Sequence, residues 1–379
     1  MPDYPNFPVM IKSQSAILFS LLFVLFPSLL QAQCNGNVEL CDKRYNQVSY
    51  LTTHNAFNAD EEGFNLPNHN FGLTQQLEDG VRGLMLDVYD EGGIATVYHS
   101  VALLGTTTLE SNLTEIKDFL DANPNEVVTI IFECYADFQL IETAFINTEI
   151  QGYTFEQGLG EPWPTLQEMI DDNKRLVVLS DRNDASPGEG WYHYVWDYAV
   201  ETPFSNNSNS DFTCEFNRGD EDNDLFILNH FATDPNLGIG RTDLSELANE
   251  FDFFINRALA CWSTLGKFPN FPTVDFYELG DCIAVVDSLN ARVFVGIEEN
   301  SNKNIATVFP NPSNGHFSLN WNKPLKARIK VYNTAGKLLV TMNSVGASIE
   351  IVLDDFPTGV YHVIVSHHSG AQALKLVKL

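Results

Sequence analysis

Gly80-Val81-Arg82-Gly83-Leu84-Met85-Leu86-Asp87 leaves a turn, becomes an apolar stretch and stops on a carboxylate. Its apolar residues are consecutive rather than alternating. That is the habit of a strand buried on both faces, as in a parallel sheet. The pattern recurs at residues 48–53, 95–98, 127–132, 175–180, 225–228 and 273–277. Helical spacing falls between these runs. Residues 112–120 place Leu113, Ile116, Phe119 and Leu120 on one face, and residues 165–170 and 244–254 behave alike. Strand and helix alternating over about 250 residues predict an α/β fold, a TIM-type (β/α)8 barrel. A doubly wound open sheet is the second choice, because no GxGxxG follows any strand. Polar insertions such as residues 205–224 read as barrel loops.

The chain has 379 residues, with 21 Lys+Arg against 50 Asp+Glu and a formal net charge of −29. Residues 33–302 hold 12 bases and 46 acids, whereas residues 303–379 hold eight bases and three acids. This reversal marks two units with different tasks. No basic stripe exists, which argues against nucleic acid and against electrostatic docking on anionic lipid. Lys12, an apolar run over residues 16–30 and the small Ala32 read residues 1–32 as a secretory signal peptide, with Met10 as an alternative start. The run is shorter than the roughly 20 residues of a membrane span, so the mature chain is expected to have no transmembrane anchor. All six cysteines follow residue 32, an even count that permits disulfides in an exported chain. Cys34 with Cys41 is the easiest local pair, and the other pairings stay open.

The last part changes character. Residues 33–298 form the barrel unit, 299–304 a polar linker and 305–379 a small all-β, Ig-like sandwich. Turn chemistry at residues 309–315 precedes alternating strands at 317–321, 327–332 and 359–365, with a hairpin turn at 333–337.

This tail resembles the type A sorting domain of the type IX secretion system. The likeness rests on FPNP-x-x-G at 309–315, VYNTAGKLL at 331–339, LDDFPTGVYHVIV at 353–365, and Lys375 and Lys378. It implies an encounter with the type IX machinery, passage across an outer membrane, and a secreted or cell-surface destination.

Polar residues close several of the barrel runs: His54 and Asn55, Asp87, His99 and Glu133. In a barrel the C-terminal strand ends ring the active site, so two imidazoles, an amide and two carboxylates converge there. Imidazole suits proton transfer near neutral pH. Carboxylates gathered at one mouth call for a compensating cation. Residues 45–135 resemble the X region of phosphatidylinositol-specific phospholipase C. The shared marks are THN at 53–55, QLxxGVRxLxLD at 76–87, YH at 98–99 and NPxEVV leading to Glu133.

The resemblance implies a phosphoric diester hydrolase with His54 and His99 as the catalytic acid–base pair. It also implies a phospholipid or other phosphodiester head group as substrate, and Ca2+, with Mg2+ as the alternative, on Asn55, Asp87 and Glu133. Met85 stands where calcium-dependent members carry a further carboxylate, with Asp90 or water to fill the gap. The arginine of metal-independent members is missing at Asp87. Asp275 corresponds to the aspartate that orients the base histidine. Arg182 is the candidate phosphate or polyol contact, and Arg82 is a second, weaker substrate-binding candidate that reads first as barrel support. Asp181, Asn229 and His230 also end runs. Residues 191–196 read either as a lipid-contacting rim or as a packed loop. A monomer is expected. Two other functions stand beside this one: a glycerophosphodiester phosphodiesterase, and a barrel that lost catalysis and binds at the surface.

Overall fold

The computed structural model describes residues 33–186, 188–234, 239–292, 306–333, 337–367 and 370–379. The expected signal peptide and the linker at 299–304 lie outside the described residues.

The first unit is built on ten strands: β1 (Thr52–Thr53), β2 (Gly83–Asp90), β3 (Ala95–Val97), β4 (Thr107–Thr108), β5 (Val128–Cys134), β6 (Leu176–Ser180), β7 (Tyr192–Tyr194), β8 (Ala199–Glu201), β9 (Leu225–Asn229) and β10 (Phe271–Val274). Eight of them form the parallel path β7-β6-β5-β2-β1-β10-β9-β8. This is the expected barrel, in sequence order around the ring, but it is open on one side. Among the described residues no ladder joins β7 to β8. The reason is chain length. Parallel neighbours need a crossover of a dozen or more residues, and only four residues, 195–198, separate these two strands.

The exposed edge of β8 is covered differently. Asn217 N–H donates to Glu201 O (2.8 Å), and Glu201 N–H donates to Arg218 O (3.0 Å). Gly219 follows at φ +87°, where an added Cβ would lie 2.1 Å from Ala199 O. Only glycine tolerates that approach. Part of the polar insertion therefore plugs the gap in the ring.

The run at 95–98 was expected among the parallel strands and is not one of them. β2 extends past the ring, and β3 pairs antiparallel with that overhang, Val88 opposite Val97. The aromatic run at 191–196 contains β7, with Trp191, Tyr192 and His193 buried. It is packed structure rather than an exposed rim.

Helices cover the closed side of the ring: α1 (Leu73–Asp79), α2 (Leu109–Ala122), α3 (Phe138–Asn147), α4 (Leu166–Asp171), α5 (Thr242–Ala248), α6 (Phe251–Leu265) and α7 (Cys282–Asn290). The Thr108 side chain accepts from Ser111 N–H to start α2, whose Leu113, Ile116, Phe119 and Leu120 are buried as their spacing requires. The expected helix at 244–254 is split into α5 and α6. At the break, Asn249 Nδ2 donates to Asp275 O and Phe276 O (3.0 Å each), which ties this turn to the end of β10.

The ring is filled from its N-terminal end by Tyr45, Tyr50, Trp163 and Phe271. Tyr45 stacks on Trp163 at 4.7 Å. Cys34 and Cys41 form the expected disulfide beside this plug. Cys214 and Cys261 form a second, and Cys134 and Cys282 are buried thiols.

The second unit has β11 (Ala306–Phe309), β12 (His316–Asn333), β13 (Leu338–Val352), β14 (Gly359–His367) and β15 (Gly370–Lys378) in one antiparallel sheet. Long β12 pairs with β11, β13 and β14. It carries Phe317, Leu319, Ile329 and Val331 into a core shared with Ile351, Val363 and Leu376. The period-two alternation seen in the sequence is this inward face.

Candidate active site

The C-terminal ends of the parallel strands surround one cavity, lined by His54, Met85, Asp87, Glu133, Asp181 and Asn229 among others. His54 follows β1, where its own N–H donates to Val274 O (3.0 Å) and couples it to β10. Asn55 at φ +51° turns the chain away immediately afterwards. Asp275, the residue after β10, is 1% exposed and sits 3.0 Å from His54 Nδ1. One face of the imidazole lies on Phe231, with ring centroids 3.8 Å apart and planes 9° apart. His54 is thus held at one nitrogen and one ring face.

His99, two residues after β3, neighbours His54 without itself lining the cavity. Its ring centroid is 6.4 Å from that of His54, in an edge-on arrangement. His99 Nδ1 lies 3.0 Å from Asp87 Oδ2. The Asn55 amide satisfies both neighbours when Nδ2 donates to Asp87 Oδ1 (3.1 Å) and Oδ2 (3.2 Å) and Oδ1 accepts from His99 Nδ1 (3.2 Å). Each histidine therefore has a carboxylate within hydrogen-bond reach of Nδ1. Asp87 is 4% exposed. Burial raises its pKa, the hydrogen bond from His99 opposes that rise, and the Glu133 charge adds to it.

Glu133 stands opposite Asp87 in the β2/β5 register and accepts from Tyr135 OH. Met85, two positions earlier on β2, packs against the apolar filling of the ring. Among the described residues no cluster of three or more His, Cys, Asp or Glu side chains is placed to hold a metal ion. The oxygen donors at this point are two carboxylates and one amide. That set suits a hard cation whose remaining positions are taken by water.

Two candidates fall elsewhere. Arg82 precedes β2, at the opposite end of the ring. It donates to Glu126 (2.8 Å), Leu77 O and Val81 O, and lies over Phe119. Its guanidinium ties the turn before β2 to Glu126 and to two carbonyls. Arg182 is held by Asp184 (2.6 Å) and Asp137 (2.8 Å) and does not line the cavity. Its two carboxylates neutralise it outside the mouth. His230 likewise turns away, stacking on Phe254 at 4.0 Å.

Among the described residues, the cation that lines the cavity is Arg218, which no pattern in the sequence marked. Its guanidinium lies between Trp196 and Phe204, 4.5 Å from each ring, and pairs with Glu201 through Nε and Nη2. Glu201 is 3% exposed and also accepts from Asn229 Nδ2 (3.0 Å) and Asn217 Nδ2 (2.9 Å). A three-residue strand and an irregular insertion supply this group, so neither period nor motif could announce it.

The family model described as PI-PLC X 1 matches residues 40–290, and that of the secretion system C-terminal sorting domain matches residues 307–379. The chain belongs to the PI-PLC X family and ends in a type IX sorting domain. A PI-PLC X domain-containing protein of Arabidopsis thaliana is 30% identical over 279 residues, covering 67% of this chain and 64% of the relative. PI-PLC X domain-containing protein 1 of Arthroderma benhamiae is 29% identical, covering 68% and 89%. The chain thus spans just under two thirds of the plant relative's length. A solved phosphatidylinositol-specific phospholipase C of Staphylococcus aureus, in a mutant form, aligns at TM-score 0.45 and 13% identity over 65% of this chain and 94% of that one. The protein is secreted or held at the cell surface, as its sorting domain and its likeness to a secreted fungal protein indicate. Among the described residues no helix is long and apolar enough to cross a membrane.

Proposed function

We propose that this exported barrel cleaves a phosphodiester in the manner of a phospholipase C. The observation that carries the reading is the facing pair of histidines 6.4 Å apart, each with a carboxylate on Nδ1.

Asp275 accepts from His54 Nδ1–H and fixes the tautomer with a lone pair on Nε2. His54 then takes the proton from the attacking hydroxyl, which is a neighbouring head-group hydroxyl if a cyclic phosphate forms. His99, protonated and stabilised by Asp87, gives a proton to the departing alcohol. Asn55, Asp87 and Glu133 would hold a calcium ion, with magnesium the less accommodating alternative, once the Asn55 amide presents its oxygen. Bound there, such an ion would supply positive charge against the phosphate and would lower the pKa of a nearby hydroxyl. Arg218, stacked between two rings on another wall of the cavity, offers a guanidinium to the phosphate or to head-group hydroxyls. Phospholipid and glycosyl-phosphatidylinositol head groups fit this chemistry.

The test is product analysis with the full chain on a panel of phosphodiesters, with and without calcium. Wild type is expected to turn over at least one, and His54→Ala and His99→Ala are each expected to lose nearly all turnover while remaining folded. Retained activity in both variants overturns the mechanism. Met85 favours one second reading, a barrel that binds a head group without cleaving it. Binding of a phosphodiester without turnover, and without uptake of calcium, supports that reading instead.

A further inference from the structure

Arg257 on α6 is a cation with no carboxylate partner among the described residues. Among the described residues its partners are all neutral. Nη1 donates to Asn229 O (2.9 Å) and to His230 Nδ1 (2.9 Å), and Nη2 donates to Thr213 O (3.2 Å). The guanidinium lies 4.5 Å over the Phe212 ring, and the enclosed Nε has no hydrogen-bond partner among the described residues. Desolvation pulls its pKa down to about 9. The side chain as a whole is half-buried, and its enclosed Nε is costly to leave without a partner. Its geometry suggests what it does. One planar fork reaches two separate segments, at Thr213 and at Asn229–His230.

Both segments lead into the cavity. Asn229 lines it, and two residues later Phe231 stacks on His54. Thr213 precedes Cys214, whose disulfide to Cys261 fastens the insertion to α6 one turn beyond Arg257. Four residues after Cys214 comes Arg218, laid along the free edge of β8.

We propose that Arg257 and the Cys214–Cys261 disulfide form a clasp that positions Arg218 in the cavity, so that the substrate-binding wall is completed only when the disulfide forms. Both are positioning groups, and neither touches substrate. The assignment rests on the reading of the cavity as a phosphodiester site, but the clasp itself can be measured without that reading. Because the disulfide needs an oxidising compartment, the wall matures with export.

The experiment uses the full chain as wild type, as wild type under mild reduction, as Arg257→Met, which keeps the packing volume, and as Arg257→Lys, which keeps a charge but not the fork. Hydrogen–deuterium exchange reports residues 199–202 and 212–219, and kinetics are run on a diester that wild type cleaves. Exchange in both segments is expected to rise in Arg257→Met, in Arg257→Lys and on reduction. KM is expected to rise about tenfold while kcat changes less than about threefold, the signature of lost ground-state contacts. In an Arg218→Gln background, Arg257→Met adds almost nothing to KM, since the contact is already gone. Unchanged exchange in a folded Arg257→Met protein overturns the clasp, as do KM effects of Arg218→Gln and Arg257→Met that multiply. Altered exchange in a protein that cleaves no diester retains the clasp and overturns the phosphodiester reading. If Arg257→Met does not fold, reduction of folded wild type decides the question by the same exchange measurement.

Discussion

Asp87 and Glu133 stand opposite each other on adjacent parallel strands, so two carboxylates share one side of the cavity mouth. The buried member already has a raised pKa, and the Glu133 charge adds to the rise. A divalent cation between them would remove that repulsion.

Calcium is accordingly expected to stabilise the fold. At a hundredfold excess over Kd, linkage gives about 2.7 kcal/mol. A thermal scan of wild type should move upward with calcium and return with chelator, and Glu133→Gln should abolish the shift. A wild-type scan that calcium leaves unmoved removes the ion from the proposal.

The His54–Asp275 pair carries a second expectation. Asp275→Asn keeps the shape but favours the tautomer with the proton on Nε2 of His54. In triads of this logic the same change costs about 10⁴ in kcat. Here a loss of about 10³–10⁴ is expected, with little change in KM and an unchanged circular dichroism spectrum. A loss of only severalfold would mean that His54 does not act as the base.

The two misplaced arginines separate stability from function. Arg82→Met removes hydrogen bonds to Glu126 and to two carbonyls at the closed end of the ring. It should cost about 1–3 kcal/mol in chemical denaturation, with kcat and KM near wild type. Arg182→Ala removes an ion pair outside the cavity mouth and should change neither stability by more than about 1 kcal/mol nor KM. A large rise in KM for Arg182→Ala would return that residue to the substrate.

His69 predicts how stability depends on pH. It is fully buried, and Nε2 donates to His54 O (2.8 Å). Desolvation lowers its pKa from 6.5 to about 4. A histidine with a lowered folded pKa contributes stability above its unfolded pKa and loses it as pH falls toward the folded value. Between pH 7.5 and 5 this group alone should cost about 2 kcal/mol. Urea denaturation at the two pH values should show that loss in wild type and a smaller one in His69→Gln, which retains a donor. Equal pH dependence in both proteins would assign it to other groups.

Much of this was legible in the chain. The apolar runs that became β2, β5, β6 and β9 are buried on both faces, so their composition alone declared them. His54, Asn55, Asp87, His99 and Glu133 could be placed because each sits in a strand end or close after one, and strand ends of a barrel point to a common mouth. The tail was legible for the same kind of reason, a period of two kept over β12 and β14.

Other features were hidden because no local rule governs them. β7 and β8 have three residues each, too few to show a period, and only a four-residue link between them keeps the ring from closing. Arg182, the preferred phosphate contact from its place after an apolar run, is neutralised by Asp137 and Asp184, partners that no local pattern announces. Local pattern could name the strands and the imidazoles, because backbone hydrogen bonding and burial repeat with fixed periods. The cation that faces the cavity comes from an irregular insertion. Its place is set by an unpaired strand edge, a disulfide and Arg257, contacts between residues far apart in sequence, and these exist only once the chain has folded.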